Sequence, residues 1–98
     1  MLRQIAALPV RANADGTIDV FLVTSRGSGR WIIPKGWPMS GRSGAAAAAI
    51  EAMEEAGVLG VISEKPIGAF HYVKRFSHGN ELCRVDVFSL RVVRQRES

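Results

Sequence analysis

The chain has 98 residues, of which 47% are hydrophobic and 22% are charged, and its 13 Lys and Arg outnumber 9 Asp and Glu to give a net charge of +4. This length fits one small domain and excludes a two-domain enzyme, and the apolar content excludes wholesale disorder. With one cysteine and two histidines, the chain can form neither an internal disulfide nor a thiolate zinc site. No apolar run approaches the roughly 20 residues of a membrane span, and the N-terminus lacks signal-peptide features. We therefore expect a cytoplasmic protein with no membrane partner.

The first third of the chain alternates short apolar runs with turn residues. Strand-type runs cover residues 2–10 and 17–25, and Asn13–Gly16 between them is a turn signal. A third short run at 31–34 ends in a proline, which predicts either the end of a strand or an edge position. Residues 35–44 hold three glycines and a proline, which predicts an ordered loop.

Residues 44–56 predict the only strong helix of the chain. The segment is rich in alanine, Ser43 precedes it as an N-cap, and Gly57 follows it as the C-terminal stop. On a helix, one apolar side must face the sheet. The residues that we expect on that side are Ala46, Ala49, Ile50 and Met53.

Strand-type runs return after the helix, at about 58–63, 67–76 and 82–93. The last two are joined by Ser77–Asn80, which predicts a hairpin. One helix with about five strands predicts an α+β fold built on a mixed sheet. Because one helix covers only one face of such a sheet, either a partner subunit covers the other face or this chain is part of a longer protein, and we favour the longer protein.

Three glutamates, Glu51, Glu54 and Glu55, stand near the end of the predicted helix. Their spacing places them within about 100° of one another on an α-helix. Like charges at these spacings repel by roughly 0.2–0.5 kcal/mol, and the helix dipole disfavours anions in the last turns. A hard divalent cation would resolve both conflicts, since Mg²⁺ takes carboxylate oxygens as ligands. The alternative is a solvated acidic helix face.

The remaining charges are strongly basic. Without the three clustered glutamates the chain carries 13 bases against 6 acids, a balance of +7. Such a surface favours anionic partners, namely polyphosphates, nucleic acid or acidic lipid. Nucleic acid is not expected as the partner, because the aromatic residues are few and no RNA-binding motif interleaves them with the bases.

The stretch Gly36–Val58 resembles the Nudix box, whose pattern is G-x5-E-x7-R-E-U-x-E-E-x-G-U with U aliphatic. The positions that match in register are Gly36, Glu51, Glu54, Glu55, Gly57 and Val58. The run Trp31–Gly36 is similar to the strand that enters the box in this family. The run from Gly68 to the 82–93 strand resembles the branch that hydrolyses diphosphoinositol polyphosphates and diadenosine polyphosphates.

The resemblance implies an α/β/α sandwich in which a mixed sheet carries the Nudix loop-helix-loop. It implies one Nudix domain over residues 1–98, truncated at the C-terminus so that the family's C-terminal helix is missing. The implied activity is divalent-metal-dependent hydrolysis of a diphosphate linkage in a nucleoside or inositol polyphosphate. The implied cofactor is Mg²⁺ or Mn²⁺, the partner is a small-molecule polyphosphate, and a homodimer is left open.

Site roles follow from the resemblance position by position. Glu51, Glu54 and Glu55 would be the catalytic and metal-binding residues, with the backbone carbonyl of Lys35 as a further ligand. Glu51 would either bind the metal or act as the general base. Gly36 and Gly57 would serve the motif structurally. The residues expected to bind substrate phosphate are Arg30, Lys35, Arg42 and Lys74.

Two positions depart from the box. Arg42 stands where the pattern has its first Glu, and Ile50 stands where it has Arg. In the family that Arg pairs with the box carboxylates, which Ile50 cannot do. The alternative function is therefore a catalytically impaired module that binds phosphorylated ligands on a Nudix scaffold. Of the two tryptophans, we expect Trp31 in the core, and Trp37 is a candidate for stacking on a base.

Overall fold

A computed structural model of the chain describes residues 1–96, so the predicted bounds 1–98 extend two residues past the described part. Residues 1–96 form eight strands, one α-helix and one π-helical turn. In chain order they are β1 (Leu2–Ala12), β2 (Ile18–Val20), β3 (Val23–Thr24), β4 (Trp31–Ile32), β5 (Lys35–Gly36), α1 (Gly44–Glu51), the π-helical turn (Ala52–Ala56), β6 (Val58–Ile62), β7 (Gly68–Phe76) and β8 (Gly79–Gln95).

Strand β8 lies at the centre of a six-stranded mixed sheet and pairs with β1, β6 and β7. Strand β1 runs parallel to it along one edge, from the pair Leu2–Cys83 to the pair Val10–Arg91. Strands β7 and β6 pair antiparallel with successive halves of the other edge. Strands β2 and β5 pair antiparallel with β1, while β3 and β4 form a separate two-stranded ribbon. The predicted α+β fold with a mixed sheet is confirmed.

The helix packs on one face of this sheet and forms the main core with it. Ser43 caps the helix as predicted, since its side-chain oxygen accepts a hydrogen bond from the Ala46 amide at 3.1 Å. Gly57 ends the π-helical turn in the left-handed conformation, with φ of 68°. The buried residues of this core are Ile5, Ala7, Ala45, Ala47, Ala48, Ala52, Val58, Phe88, Leu90 and Val92.

The predicted sheet-facing side of the helix is wrong. Ala45, Ala48 and Ala52 are buried, whereas Ile50 and Met53 are only partly covered. The side chains of alanine are short, so an alanine face lets the helix backbone lie close to the sheet. The rotation also turns the side that carries Glu51 toward β5.

The opposite face of the sheet holds a smaller cluster. Ala6, Cys83 and Val85 are buried there, and Cys83 is fully covered. Gln4 is buried beside them as a polar residue that is 4% exposed. Within residues 1–96, α1 and its π-helical turn are the only helical segments, and both contribute to the first core. The C-terminal helix of the expected sandwich is not evident in this range, and no helix there is long and apolar enough to cross a membrane.

Candidate active site

The three glutamates lie across the junction between the α-helix and the π-helical turn. Glu51 is the last residue of α1, and Glu54 and Glu55 lie in the wider turn that follows. The amide of Gly57 closes that turn by donating to the carbonyls of Ala52 and Met53. A single π-helical turn inside a helix often marks a functional site. The sequence spacing assumed one regular α-helix and did not predict this change of pitch.

Glu51 lies directly against the backbone of β5. A Cβ atom on Gly36 would come within 2.5 Å of the Glu51 carboxyl carbon, so only glycine leaves room for this carboxylate. One Glu55 carboxylate oxygen accepts a hydrogen bond from the Lys35 amide at 3.3 Å. Two of the three glutamates therefore converge on the two residues of β5.

This convergence makes the Glu51 carboxyl hard to ionise. Burial, contact with the Glu55 carboxylate and the negative charges of Glu55 and Glu54 raise the pKa of Glu51 to about 7. None of the ion pairs formed within residues 1–96 involves these three glutamates. Ile50 stands at the position of the box Arg and brings no compensating charge.

The glutamate side chains near β5 supply some of the ligands that a hard divalent cation requires. No group of three or more His, Cys, Asp or Glu side chains in the described range is arranged to hold a metal ion. Magnesium, however, needs only one or two protein carboxylates together with water and substrate phosphates. Glu51 and Glu55 lie beside the backbone of β5 and supply two such carboxylates. All the donor atoms that they offer are oxygens.

A cleft of about 660 Å³ opens beside the glutamates, and we call it the charged cleft. Its lining residues are Val23, Thr24, Ser25, Arg26, Ile32, Lys35, Glu54, Glu55 and Lys74. The Lys74 ammonium lies 5.5 Å from the ring centre of Trp37 and 5.8 Å from that of Phe76. Acidic side chains and three cations thus share one cleft, an arrangement that suits a metal ion beside phosphate.

A second cleft of about 450 Å³ adjoins it, and we call it the aromatic cleft. Its lining residues are Ser25, Arg30, Trp31, Ile32, Ile33, Lys35, Phe70 and Tyr72. Ser25, Ile32 and Lys35 line both clefts, so Lys35 lies where the two meet.

A hydrogen-bond network that sequence analysis missed holds Lys35 in place. Its ammonium donates to Gln4 Oε1 at 3.4 Å and to the Tyr72 hydroxyl at 3.2 Å. The Tyr72 hydroxyl donates to the same Gln4 oxygen at 2.5 Å. Burial raises the pKa of the Tyr72 phenol above its usual value, so this donor keeps its proton. Sequence separations of 31 to 68 residues join these partners, so no local pattern could have revealed the network.

The other predicted phosphate-binding residues are distributed differently. Arg30 lines the aromatic cleft and Lys74 lines the charged cleft. Arg42 is exposed and lines neither. Of the two tryptophans, Trp31 is 70% exposed, so its predicted place in the core is wrong. Trp37 is 46% exposed and lines neither cleft.

Comparison with solved structures identifies the fold. A NUDIX hydrolase from Nitrosomonas europaea is 25% identical to this chain, with a TM-score of 0.70 over 99% of this chain and 62% of that one. The C. elegans Ap4A hydrolase is 20% identical, with a TM-score of 0.62 over 92% of this chain and 68% of the hydrolase. The NUDIX domain of Shewanella oneidensis NrtR, solved with ADP ribose, is 17% identical, with a TM-score of 0.67 over 99% and 67%.

These similarities show that the chain has the fold of the Nudix hydrolases. The chain spans about two thirds of the length of the structures that it matches. No protein-family model matches the sequence, and no curated protein sequence matches it. The more specific assignment to the diphosphoinositol and diadenosine polyphosphate branch stays a prediction.

Proposed function

We propose that this protein is a Nudix-type pyrophosphohydrolase that uses Mg²⁺ or Mn²⁺ to hydrolyse a diphosphate linkage in a nucleoside or inositol polyphosphate. The observation that carries the proposal is the convergence of Glu51 and Glu55 on β5, at the edge of a cleft that also holds three cations. A metal-bound diphosphate requires carboxylates and cationic side chains close together, because the carboxylates bind the metal ion and the cationic side chains bind the phosphate oxygens.

Residues in and beside the charged cleft would bind either the cation or the phosphates. Glu54, Glu55 and Lys35 line this cleft, and Glu51 lies beside it against Gly36. Glu51, Glu55 and the backbone carbonyl of Lys35 would hold the divalent cation. When bound, the cation supplies charge neutralisation of the diphosphate and a lowered pKa of water. The Lys35 ammonium, fixed by Gln4 and the Tyr72 hydroxyl, is placed to bind a phosphate oxygen without losing freedom on binding.

Glu51 has a second property that suits hydrolysis. A general base works best when its pKa lies near the working pH, and the pKa of Glu51 in the metal-free chain is raised to about 7. The role of general base is the alternative to binding the cation, because a cation on Glu51 would lower that pKa. In this role the Glu51 carboxylate would accept the proton that water loses as it attacks phosphorus. The backbone beside Gly36 keeps the carboxylate in position for that transfer.

A binding module without turnover is the second candidate function. Ile50 places no positive charge among the glutamates, and exposed Arg42 lines neither cleft. Such a module would bind phosphorylated ligands in the charged cleft and release them unchanged.

Phosphate release separates the two candidates. We would incubate the chain with diadenosine polyphosphate, inositol pyrophosphate, ADP-ribose and nucleoside triphosphates, with Mg²⁺ or with chelator. Hydrolysis predicts turnover that needs the metal and falls by about 10²–10⁴ in Glu51→Gln, the range for loss of a general base. Glu81→Gln is the matched control, because Glu81 is exposed, lies within 3.4 Å of the His78 ring nitrogen and lines neither cleft.

Binding of these compounds without release of phosphate from any of them would replace the hydrolase with the binding module. Turnover that Glu51→Gln leaves intact would remove the assigned roles of the glutamates.

A further inference from the structure

Gln4 is a polar side chain inside an otherwise apolar cluster. Within residues 1–96 it is the only polar residue that is buried, with 4% of its surface exposed. On β1 it lies opposite Val85, and its neighbours in the cluster are Ala6 and Cys83. A buried polar group destabilises the fold unless it is hydrogen-bonded, and an apolar side chain has no such requirement. The hydrogen bonds of Gln4 are therefore the feature that needs an explanation.

Three donors meet at the side-chain oxygen of Gln4. Oε1 accepts from the Tyr72 hydroxyl at 2.5 Å, from the Lys35 ammonium at 3.4 Å and more weakly from the Cys83 thiol at 3.6 Å. An amide oxygen has two lone pairs, so these bonds use its accepting capacity in full. The Gln4 oxygen therefore binds groups of the protein and has no capacity left for a ligand.

The Lys35 ammonium keeps one hydrogen for a ligand. An ammonium has three hydrogens to donate, and those of Lys35 go to Gln4 Oε1 and to the Tyr72 hydroxyl at 3.2 Å. No third hydrogen bond of this ammonium forms within residues 1–96, although its nitrogen also lies 4.8 Å from the Tyr72 ring centre. Lys35 lines both the charged cleft and the aromatic cleft, so a ligand in either can reach it.

Holding Lys35 in advance changes what it costs to bind an anion. A lysine side chain that is free in solution loses more rotamer entropy on binding than most other side chains do. The two hydrogen bonds to Gln4 and Tyr72 restrict that freedom during folding, before any ligand arrives. A restricted ammonium therefore binds a phosphate oxygen more tightly than a mobile one.

We propose that Gln4 is a positioning residue for Lys35, which holds the ammonium so that its remaining hydrogen is free for a phosphate oxygen where the two clefts meet. This inference rests on the proposed function, in which Lys35 binds a phosphate of the substrate. Its further content is a coupling, because Gln4 affects phosphate binding only through Lys35. A Gln4 that merely supported the fold would act independently of Lys35.

A double-mutant cycle separates these two roles. Methylene bisphosphonate is the probe, because it carries the charge of a diphosphate and its P–C–P bridge is not hydrolysed. Calorimetry with Mg²⁺ measures its affinity for the wild type, Gln4→Met, Lys35→Met and the double variant. Methionine matches glutamine in length and lacks the strong acceptor. Gln95→Met is the matched control, because Gln95 is exposed and lines neither cleft.

The single variants should differ in size and the double variant should show the coupling. Lys35→Met should weaken binding by about tenfold to a hundredfold, the range for one hydrogen bond to a charged group. Gln4→Met should weaken it by about threefold to thirtyfold, because the freed lysine must lose its rotamer entropy on binding. The double variant should bind no more weakly than Lys35→Met, whereas independent effects would multiply. Gln95→Met should match the wild type.

Gln4→Glu keeps the test decisive if Gln4→Met folds poorly. The carboxylate still accepts hydrogen bonds from Tyr72 and Lys35, but its negative charge pairs with the ammonium and competes with phosphate. Affinity for the bisphosphonate should fall at least as far as in Gln4→Met. A structural role predicts unchanged affinity instead, because the hydrogen bonds are retained.

Steady-state kinetics on the substrate that the phosphate-release assay identifies give a second reading. In Gln4→Met, KM should rise by the same factor as the bisphosphonate affinity falls, while kcat stays within about twofold of the wild type. This split is expected for a phosphate contact that is equally strong in the ground state and the transition state.

Three results would overturn this inference. They are a double variant weaker than Lys35→Met by the full factor of Gln4→Met, wild-type affinity in Gln4→Met, and a wild-type chain that does not bind the bisphosphonate. The proposed function fails differently, by absence of metal-dependent phosphate release, and it survives if Gln4→Met hydrolyses substrate with an unchanged KM. The two failures are therefore distinguishable.

Discussion

The two faces of the sheet differ in how they are covered. The helix side is packed into a core, whereas the other side carries an open cleft. On the helix side, ten buried residues pack the alanine face of α1 against β1 and β8. On the other side, the buried cluster within residues 1–96 consists of Ala6, Cys83 and Val85 beside buried Gln4, and the aromatic cleft lies open. The well-packed face brings Glu51 against Gly36, whereas the open face carries the aromatic cleft.

Strand β5 joins these two faces in only two residues. Gly36 pairs with Ile5 and lies against Glu51, while Lys35 pairs with Ala6 and reaches Gln4 on the opposite face. Alternation along a strand sends neighbouring residues to opposite sides. Gly36 thus lies against the Glu51 carboxylate, while the ammonium of the neighbouring Lys35 contacts the Gln4 and Tyr72 side chains.

Gly36→Ala is the strongest test of the helix side. The new Cβ would meet the Glu51 carboxyl group, which is the end of a flexible side chain and can move away. The fold should survive while turnover falls by about a hundredfold, since misplacement by an ångström costs about that much. Steady-state kinetics and a thermal melt measure the two effects. Gly68→Ala is the matched control, because a Cβ there has no neighbour within 4 Å. Equal turnover in the two variants would show that the position of Glu51 does not matter.

The metal-free protein should lose stability as pH rises through a defined window. The pKa of Glu51 is raised from 4.5 to about 7 in the folded state, so the native chain keeps a proton that the unfolded chain has released. The free energy of unfolding should therefore fall between about pH 4.5 and pH 7 and stay level above it. Urea titrations with chelator at several pH values measure this slope.

Glu51→Gln removes the titrating group and should flatten that slope. Asp19 does not interfere, because its pKa is lowered by Arg11 and its contribution disappears only below pH 3.8. A slope of the same size in Glu51→Gln would assign the pH dependence to other groups.

Tyr72→Phe should have the smallest effect and concerns the open face. The substitution removes the hydroxyl that donates to Gln4 and accepts from Lys35, but it retains the ring. Stability should fall by about 1 kcal/mol, the usual net worth of a hydrogen bond. Urea unfolding measures the loss, and a variant as stable as the wild type would show that these two hydrogen bonds contribute nothing net to stability.

The sequence predicted those features whose causes are local. Ser43 and Gly57 mark the limits of the helical segment because capping depends on one or two residues. Most strands were predicted because their apolar runs end at turn residues. However, β5 lies in the stretch 35–44 that was predicted as a loop, and the run 17–25 forms two short strands, β2 and β3. The side of the helix that faces the sheet was mispredicted because five consecutive alanines carry no periodicity, which left Ile50 and Met53 to decide the assignment.

The site was only partly predictable for the same physical reason. The box spacing identified the glutamates and Gly36, which lie within one stretch of 23 residues. Gln4 and Tyr72 meet Lys35 only because β1, β5 and β7 are brought together by the sheet. The exposure of Trp31 likewise depends on what covers a short strand, which its own residues do not determine.

Divalent-cation binding tests the central claim most directly, namely that Glu51 and Glu55 together form the metal site beside β5. We would titrate Mn²⁺ into the chain at about pH 8 and follow the free ion by electron paramagnetic resonance. The wild-type chain should bind the ion, Glu51→Gln and Glu55→Gln should each weaken binding at least about tenfold, and Glu81→Gln should match the wild type. The same affinity in all four chains would contradict the account.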